Sequence, residues 1–397
     1  MSIAIITRFN NSRMDLNKWM EKYDEDIFIF APEDIIDDFS QDFHLYRYEN
    51  FEFNENIEKD IINFHNTYNF ENIVAFEEAY LERAALLRDT LNIKGMSYKD
   101  IQLFRNKVKM KDYVTSKGFK TPKYKKIKNF KDLYENLNQY SYPFILKPID
   151  GMSSINTYKI SNKQDLEDYL KSSKKQYPFL IEEFIDGEMY HIDGVYTDEK
   201  LIFSSFSKYI VQCIEYVENK NLVSLLYNNS NAITNKLKKY TSSLLKHFNK
   251  TDPLLFHLEV FIKKNGEIIF CEIAARRSGG NIIEMIDHSF NINLDYVYIN
   301  LLLGNSHIHN LDYKNNSYVI NKTYLVQEGT LTQLPSYNDL KDCCFIKFKS
   351  KVGNVHTSPK TYYDVYLQVM LEGSSEREVC KKLERIDEIV KKETKWA

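Results

Sequence analysis

Residues 256–282, FHLEVFIKKNGEIIFCEIAARRSGGNI, decide the fold. Two apolar runs flank Asn265-Gly266, a dipeptide typical of the two-residue loop that joins antiparallel strands. With that loop, Glu259 lies directly opposite Glu272, and alternation along each strand places both carboxylates on one face. The stretch therefore predicts a hairpin with two acids side by side, followed at once by Arg276.

The composition of the two hairpin faces indicates what the paired acids do. Phe261 and Phe270 are assigned to the same face as the acids, whereas Leu258, Val260, Ile262, Ile269, Cys271 and Ile273 form a core face. Directly opposed like charges repel across about 4.5–5.5 Å between Cβ atoms unless a cation lies between them. Mg²⁺ prefers such carboxylate oxygens and completes its shell with water and phosphate. The pattern predicts a magnesium–phosphate site, and the two phenylalanines disfavour the alternative of solvated glutamates on an exposed face.

A lysine and a loop of small residues upstream fit such a site. Lys147 lies inside the strand-like run PFILKP (143–148), where an edge-strand lysine is the alternative explanation. Gly151-Met152-Ser153-Ser154 follows, and the backbone N–H groups of a small-residue loop can bind phosphates. No GxxxxGK[ST] motif occurs, so the loop is not a P-loop. We expect residues 151–156 to form a lid.

Composition excludes several other classes of function. The 397 residues are enough for two or three packed units. A net charge of −3 favours neither nucleic acid nor an anionic membrane surface as a partner, and no run approaches the ~20 apolar residues of a membrane span. Five scattered cysteines without a CxxC pair indicate a reducing cytoplasm and neither a disulfide framework nor a zinc site.

The regions outside the hairpin show an alternating pattern of strands and helices. Short apolar runs at 3–6, 27–30 and 73–76 are typical of strands buried on both faces. Helical spacing predicts helices over 79–91, 101–117 and 375–392, the first ended by a left-handed residue at Gly95. His191 and Asp193 share one face of a further strand-like run. A histidine there, like His257 on the acidic face, is explained equally well as a buried, hydrogen-bonded residue.

In chain order, these segments resemble the ATP-grasp superfamily, and in particular its carboxylate–amine ligase branch, which includes L-amino-acid ligases. The segments that carry the resemblance are VAFEEAYLERAALLRDTLNIKG (74–95), RNKVKMKDYVTSKGFKTPKY (105–124), PFILKPIDGMSS (143–154), LIEEFIDGE (180–188), FHLEVF (256–261) and FCEIAARRSGG (270–280). They are similar to the family's first domain, its first-lysine helix, its second-lysine strand and loop, its hinge, and its metal and catalytic strands. The order and spacing of the segments are more specific than any one of them.

The resemblance implies an α/β chain with the ATP-grasp fold. Residues 1–100 would form an open α/β domain, residues 101–186 the small ATP-grasp subdomain with the lid loop, and residues 187–397 the large subdomain with the metal and catalytic strands and a C-terminal extension. It also implies ATP and Mg²⁺ as cofactors, with Mn²⁺ able to replace Mg²⁺.

The family's functional residues carry over position by position. The resemblance places the two lysines at the phosphates, the small residues in the lid, the hinge at adenine and ribose, and the arginine at the acid substrate. The implied cofactor-binding residues are Lys107, Lys147, Gly151, Ser153, Ser154, Glu182, Glu183, Phe184, Ile185 and Glu188; the metal ligands are Glu259 and Glu272; and the catalytic residues are Arg276 and Lys147.

Three positions depart from the family pattern. Ala274 stands where a third metal ligand, asparagine, is usual, and Asn106 precedes Lys107 where aspartate is common. Glu188 comes one residue earlier than the usual ribose ligand, and Met189 occupies that ligand's place.

The resemblance implies an ADP-forming ligase that joins a small-molecule carboxylate to an amine through an acyl phosphate. Two other functions stay open: a ligase that loads a carrier-protein thiol, and a non-catalytic nucleotide-binding protein on the same fold, which only Ala274 favours. By the same resemblance, specificity is expected in Tyr190–Lys208 and around Ser278–Asn281. The acid, the amine and a homodimeric state are left open by the sequence.

Overall fold

The structure is a computed structural model that describes residues 2–21, 23–152, 154–171, 177–211, 221–248, 253–305, 313–359, 361 and 364–397. The strands are β1 (Ile3–Ile6), β2 (Ile27–Pro32), β3 (His44–Tyr48), β4 (Asn72–Ala75), β5 (Tyr124–Ile127), β6 (Phe144–Pro148), β7 (Tyr158–Ile160), β8 (Phe179–Glu183), β9 (Gly187–Thr197), β10 (Lys200–Val211), β11 (Val223–Leu226), β12 (Leu254–Lys263), β13 (Ile268–Ala274), β14 (Tyr318–Leu325), β15 (Gly329–Gln333), β16 (Phe345–Phe348), β17 (Val355–His356), β18 (Val365–Gly373) and β19 (Lys395–Trp396). The helices are α1 (Leu16–Trp19), α2 (Asn56–Tyr68), α3 (Leu81–Leu91), α4 (Tyr98–Arg105), α5 (Lys107–Ser116), α6 (Phe130–Asn136), α7 (Lys163–Lys171), α8 (Ala232–Leu245), α9 (Ile282–Phe290), α10 (Leu294–Leu302) and α11 (Glu376–Glu393).

The first sheet is parallel, with strand order β3-β2-β1-β4. Its central strands are buried throughout, because the apolar runs IAII and IFIFAP have no polar residue to turn toward solvent. This confirms the open α/β arrangement that the short apolar runs predict.

Two antiparallel sheets follow and enclose the candidate site. The smaller has the order β5-β8-β6-β7, and the larger has the order β13-β12-β9-β10-β11-β14-β18-β16. A three-stranded sheet, β17-β15-β19, lies near the C-terminus. Among the described residues, no helix is both long enough and apolar enough to cross a membrane.

Two helix predictions require correction. The first helix ends with Asn92 in the left-handed conformation, at φ 55°, so Asn92 and not Gly95 supplies the residue that terminates it. The helix predicted over 101–117 is two helices, α4 and α5, separated at Asn106. This residue is extended, and its side-chain oxygen accepts hydrogen bonds from the backbone N–H groups of Val108 and Lys109.

The break at Asn106 fixes the position of Lys107. The backbone N–H of Lys107, the first residue of α5, donates to the carbonyl of Ile149 at 2.9 Å. This hydrogen bond joins the helix to the end of β6, the strand that contains Lys147. Phe104 and Met110, on either side of the break, pack in the same apolar core as Val260 of the hairpin. The first lysine is therefore held against both sheets.

The hairpin loop has three residues, 264–266, and not the two that Asn-Gly predicts. Gly266 has φ +81° and its N–H donates to the carbonyl of Lys263 at 2.8 Å, while the N–H of Lys263 donates to the carbonyl of Glu267. This shifts the pairing by one residue. A bulge between Glu259 and Val260 shifts it back, so Glu259 still lies opposite Glu272.

The bulge changes which side chains accompany the acids. Val260 pairs with Phe270, and both belong to the apolar core, so the assignment of Phe270 to the acidic face is wrong. Cys271 is the extra residue of the bulge and lies on the acidic side, near Phe261 and Met189, instead of in the predicted core face.

Candidate active site

A narrow cavity of about 90 Å³ lies between the two antiparallel sheets. Most of the residues predicted to bind nucleotide or metal line it. Among the described residues, Glu188 and Arg276 are the predicted site residues that do not line it, and Ser153 lies outside the described residues. The predicted residues that line it are Lys107, Lys147, Gly151, Ser154, Glu182, Glu183, Phe184, Ile185, Glu259 and Glu272.

The paired acids form the candidate metal site. Carboxylate oxygens of Glu259 and Glu272 and the sulfur of Cys271 lie within 4.8 Å of one another. The ammonium of Lys107 lies 3.2 Å from Oε2 of Glu272. Burial alone raises the pKa of Glu272, but Lys107 and Lys147 outweigh it and lower the pKa to about 2. Glu272 is therefore ionised at neutral pH, as a cation ligand must be, and the two carboxylates fit a hard divalent cation.

Lys107 and Lys147, the lysines predicted to contact phosphate, are both paired with acids of the same cavity. Nζ of Lys147 donates to Oε1 of Glu182 at 3.0 Å, and Nζ of Lys107 donates to the carbonyl of Gly151 at 2.7 Å. Although burial disfavours its charge, the pKa of Lys147 is raised by the Glu182 carboxylate. The cavity thus contains two ammonium groups and several carboxylates that compensate one another.

Lys111 is a site residue that the sequence reasoning missed. It is fully buried; its Nζ donates to the carbonyl of Cys271 at 2.8 Å and lies 3.2 Å from Oε2 of Glu182. Burial lowers its pKa, and Glu182 opposes that effect. A signal existed, because Lys111 interrupts the apolar stripe of α5 between Met110 and Val114.

The two lysines give Glu182 a different surrounding from the one expected. The resemblance assigns Glu182 to adenine, but both of its carboxylate oxygens lie beside ammonium groups, of Lys147 and Lys111. Burial raises the pKa of Glu182, and the two lysines lower it further than burial raises it. Its side chain therefore holds Lys147 in place, and the hinge backbone at residues 183–185 remains the part that can face a nucleotide base.

Glu188 does not face the cavity, which corrects its assignment to the ribose. It pairs with Ile262 in the sheet, whereas Met189 pairs with Phe261 and lines the cavity. Successive strand residues point to opposite faces, so one residue of displacement removes Glu188 from the site. Its carboxylate instead accepts hydrogen bonds from the hydroxyl of Tyr190, at 2.9 Å, and from the ammonium of Lys208.

Arg276 is held by Glu78, in the N-terminal part of the chain. Its Nε donates to Oε2 of Glu78 at 2.7 Å, and Glu78 also binds the guanidinium of Arg105. Burial raises the pKa of Glu78, but Arg276, Arg105 and Lys107 lower it overall, which places all three cations around one carboxylate. Arg277 pairs instead with the buried Asp295 at 3.0 Å.

A chain of buried, hydrogen-bonded polar side chains adjoins Glu259 of the candidate metal site. Nδ1 of His257 lies 2.7 Å from Oδ1 of Asp193, and Nδ1 of His191 lies 2.6 Å from Oδ2. Nε2 of His257 faces Oε1 of Glu259 at 3.4 Å. Burial lowers the pKa of His257, but Asp193 and then Glu259 raise it, to about 9. His191 and Asp193 share one face of their strand, as their spacing predicts.

A parallel α/β domain, followed by two antiparallel sheets that close on lysines and paired acids, defines the ATP-grasp fold. Residues 140–285 match the family of the ATP-grasp domain. The whole chain superposes on the crystal structure of an L-amino acid ligase from Bacillus licheniformis with a TM-score of 0.76 and 16% identity, covering 100% of this chain and 98% of that one. The ATP-grasp resemblance and fold are confirmed.

Two curated relatives come from Bacillus subtilis. The L-arginine-specific L-amino acid ligase is 28% identical over 232 residues, which cover 57% of this chain and 56% of the relative. The alanine–anticapsin ligase of strain 168 is 24% identical over 269 residues, which cover 62% of this chain and 57% of the relative. The chain thus spans a little over half the length of these relatives. Their names agree with the predicted resemblance to amino-acid ligases.

Proposed function

We propose that this protein is an ATP-dependent, ADP-forming carboxylate–amine ligase that joins an amino acid to an amine or to a second amino acid. The observation that carries the proposal is the arrangement of Lys107, Lys147, Glu259 and Glu272 in one cavity, where each ammonium already lies beside a carboxylate. Relatives named as ligases for arginine and for alanine with anticapsin support the amino-acid class of substrate.

The pairing in the cavity suggests how nucleotide enters. Glu259 and Glu272 would hold Mg²⁺, which when bound neutralises charge on the phosphates of ATP. Lys107 would then leave Glu272 and contact phosphate. The ion pair between Lys107 and Glu272 would thus be replaced by two ionic contacts, one between Lys107 and phosphate and one between Glu272 and Mg²⁺. Lys147, held in position by Glu182, would contact phosphate and keep its ion pair with Glu182.

The described part of the expected lid, residues 151–152 and 154–156, would move aside to admit ATP. The cavity measures about 90 Å³, whereas sites for ligands of comparable size measure about 300–1,000 Å³. Ser154 and Asn156 in this loop have φ of 53° and 57°, and the carbonyl of Gly151 accepts a hydrogen bond from Nζ of Lys107. Reclosure over ATP would keep water from the reactive intermediate.

The chemistry follows from this arrangement in two steps. A carboxylate oxygen of the acid attacks the γ-phosphorus of ATP, which gives an acyl phosphate and ADP. The neutral amine then attacks the acyl carbon, phosphate leaves with the bonding electrons, and the amine loses a proton to solvent or phosphate. Arg276, beside Lys107 through their shared neighbour Glu78, is proposed to bind the acid and stabilise its developing charge.

The test is nucleotide turnover with ATP, Mg²⁺ and amino acids supplied singly and in pairs. ADP and phosphate that appear only with particular pairs would support the proposal and name the substrates. AMP and pyrophosphate would contradict it. ATP binding without turnover would favour a carrier-protein thiol as the acceptor, or a non-catalytic nucleotide-binding protein, and addition of a carrier protein separates the two.

Lys147→Met is expected to lower kcat/KM for ATP by roughly 100-fold or more, because a buried cation aimed at the phosphates is lost. Steady-state kinetics with varied ATP checks this. Lys126→Met removes an exposed lysine from β5 of the same small sheet and serves as the matched control. Equal losses in both variants would contradict the assignment of Lys147 to the phosphates.

The acid or amine is proposed to bind in a second cavity, of about 1570 Å³, which is lined by Gly280 and Asn281 in the segment that follows Arg276. Asn281 lies in the segment where specificity is expected. It is buried, and among the described residues its side-chain nitrogen has no hydrogen-bond partner. A buried amide without a partner is costly, so a substrate acceptor there would be recognised.

Asn281→Ala is therefore expected to raise KM for one of the two organic substrates by roughly tenfold, the effect of one lost hydrogen bond. KM for ATP should stay within about twofold of the unsubstituted value, since Asn281 does not line the nucleotide cavity. An unchanged KM for both organic substrates would place them elsewhere.

A further inference from the structure

The chain of buried polar side chains beside Glu259 and Glu272 has no part in the proposed reaction steps. It runs from Ser224 through His191, Asp193 and His257 to Glu259, and all five residues are buried. The sheet register explains the chain. Asp193 pairs with His257 and His191 with Glu259 on the adjacent strands β9 and β12, so the four side chains lie on one face.

Asp193 determines how both rings are oriented. An ionised carboxylate only accepts hydrogen bonds, so the Nδ1 atoms of His191 and His257, at 2.6 and 2.7 Å, both carry hydrogen and donate to it. The ring of His257 is thereby fixed with Nε2 directed at Glu259. His191 directs its own Nε2 away from the metal pair, to the hydroxyl of Ser224 at 2.6 Å.

The position opposite His257 strengthens the case. Ala274 lies directly across the ladder from His257 and its methyl group offers no polar atom to the acidic face. In this cross-strand pair, His257 is therefore the residue that presents polar atoms beside Glu259. Loss of a group that holds a ligand of a metal typically lowers cation affinity by about 10- to 100-fold.

We propose that His257, oriented by Asp193, is a positioning residue for Glu259 and thereby sets the affinity of the divalent-cation site. The inference rests on the proposed function only in taking Glu259 as a cation ligand; it does not depend on which acid or amine is joined. A merely structural role for the chain would change the stability of the protein and leave cation affinity in the folded protein unchanged.

The test measures Mn²⁺ binding in the presence of saturating ADP, by the loss of the free Mn²⁺ signal in electron paramagnetic resonance beyond the loss that the same ADP causes without protein. Three variants of the full chain are compared with the unsubstituted protein. His257→Leu removes the contact with Glu259. His257→Gln keeps a donor of similar reach. Asp193→Asn leaves the ring in place but weakens the group that orients it, which keeps the proposal testable where the leucine variant does not fold.

We expect Mn²⁺ to bind about 10- to 100-fold more weakly to His257→Leu and Asp193→Asn, with partial recovery in His257→Gln. Ser224→Ala, which alters the far end of the same chain, should bind within about twofold of the unsubstituted protein. Unchanged or tighter binding in folded His257→Leu and Asp193→Asn would overturn the inference. A protein that binds Mn²⁺ in this pattern but ligates nothing would overturn the proposed function alone. Absence of Mn²⁺ binding by the unsubstituted protein would overturn both.

Discussion

Replacing Glu272 by glutamine is expected to lower ATP-dependent turnover by at least about 100-fold, since loss of a direct cation ligand should exceed the effect of losing an outer partner. The amide keeps the shape of the side chain but removes its charge, which a hard divalent cation requires. Lys107, 3.2 Å from Oε2, loses its partner in the same variant, so two parts of the phosphate site are affected together.

The measurement is turnover as a function of Mg²⁺ concentration at saturating ATP. We expect the concentration of half-maximal activation to rise together with the loss of kcat. Cys271→Ala is the matched control, because Cys271 lies beside the two acids, within 4.8 Å of them, and its thiol pKa of about 12, raised by burial, keeps it from ionising. If Glu272→Gln kept full activity at low Mg²⁺, the metal assignment would be wrong.

The acidic pair shows how a correct prediction can follow from an incorrect detail. Asn265-Gly266 predicts a two-residue loop, and that loop places Glu259 opposite Glu272. The actual loop has three residues, and the bulge at Cys271 compensates for the difference. The sequence has no local signal for the bulge, because Phe270 and Cys271 suit either face of a buried strand. Its cause lies in packing against the rest of the core, which a single strand does not encode.

Residues defined by the spacing of a motif were placed well, and residues defined by long-range contacts were not. Lys107 and Lys147 belong to segments with a recognisable order along the chain, and both line the cavity. Glu78 becomes visible only when strands and helices distant in sequence meet, and the interrupted apolar stripe of α5 singles out Lys111 without indicating its distant partners, Cys271 and Glu182. Glu188 falls between these cases. Its segment was correctly predicted to lie at the cavity, but Glu188 is one residue away along β9 from Met189, which lines the cavity, so its side chain lies on the opposite face of the strand.

The last prediction concerns Glu78, the carboxylate between Arg105 and Arg276. Glu78→Gln is expected to destabilise the folded protein by about 3–5 kcal/mol, because removing the charge of one member of a buried network leaves the others uncompensated. All three side chains are mostly buried, so water cannot replace the lost carboxylate. The lost ion pairs include the one that holds Arg276, so kcat should fall as well.

Urea unfolding of Glu78→Gln and Glu82→Gln provides the comparison. Glu82 also approaches Arg105, but its carboxylate lies 3.8 Å away and the side chain is 38% exposed. Such an exposed pair contributes about 0–1 kcal/mol, so Glu82→Gln should unfold nearly as the unsubstituted protein does. If the two variants unfolded alike, the cluster around Glu78 would contribute no more than a surface contact. A double-mutant cycle with Arg276→Lys decides how much of the effect belongs to that pair, because the coupling energy isolates it from the pair with Arg105.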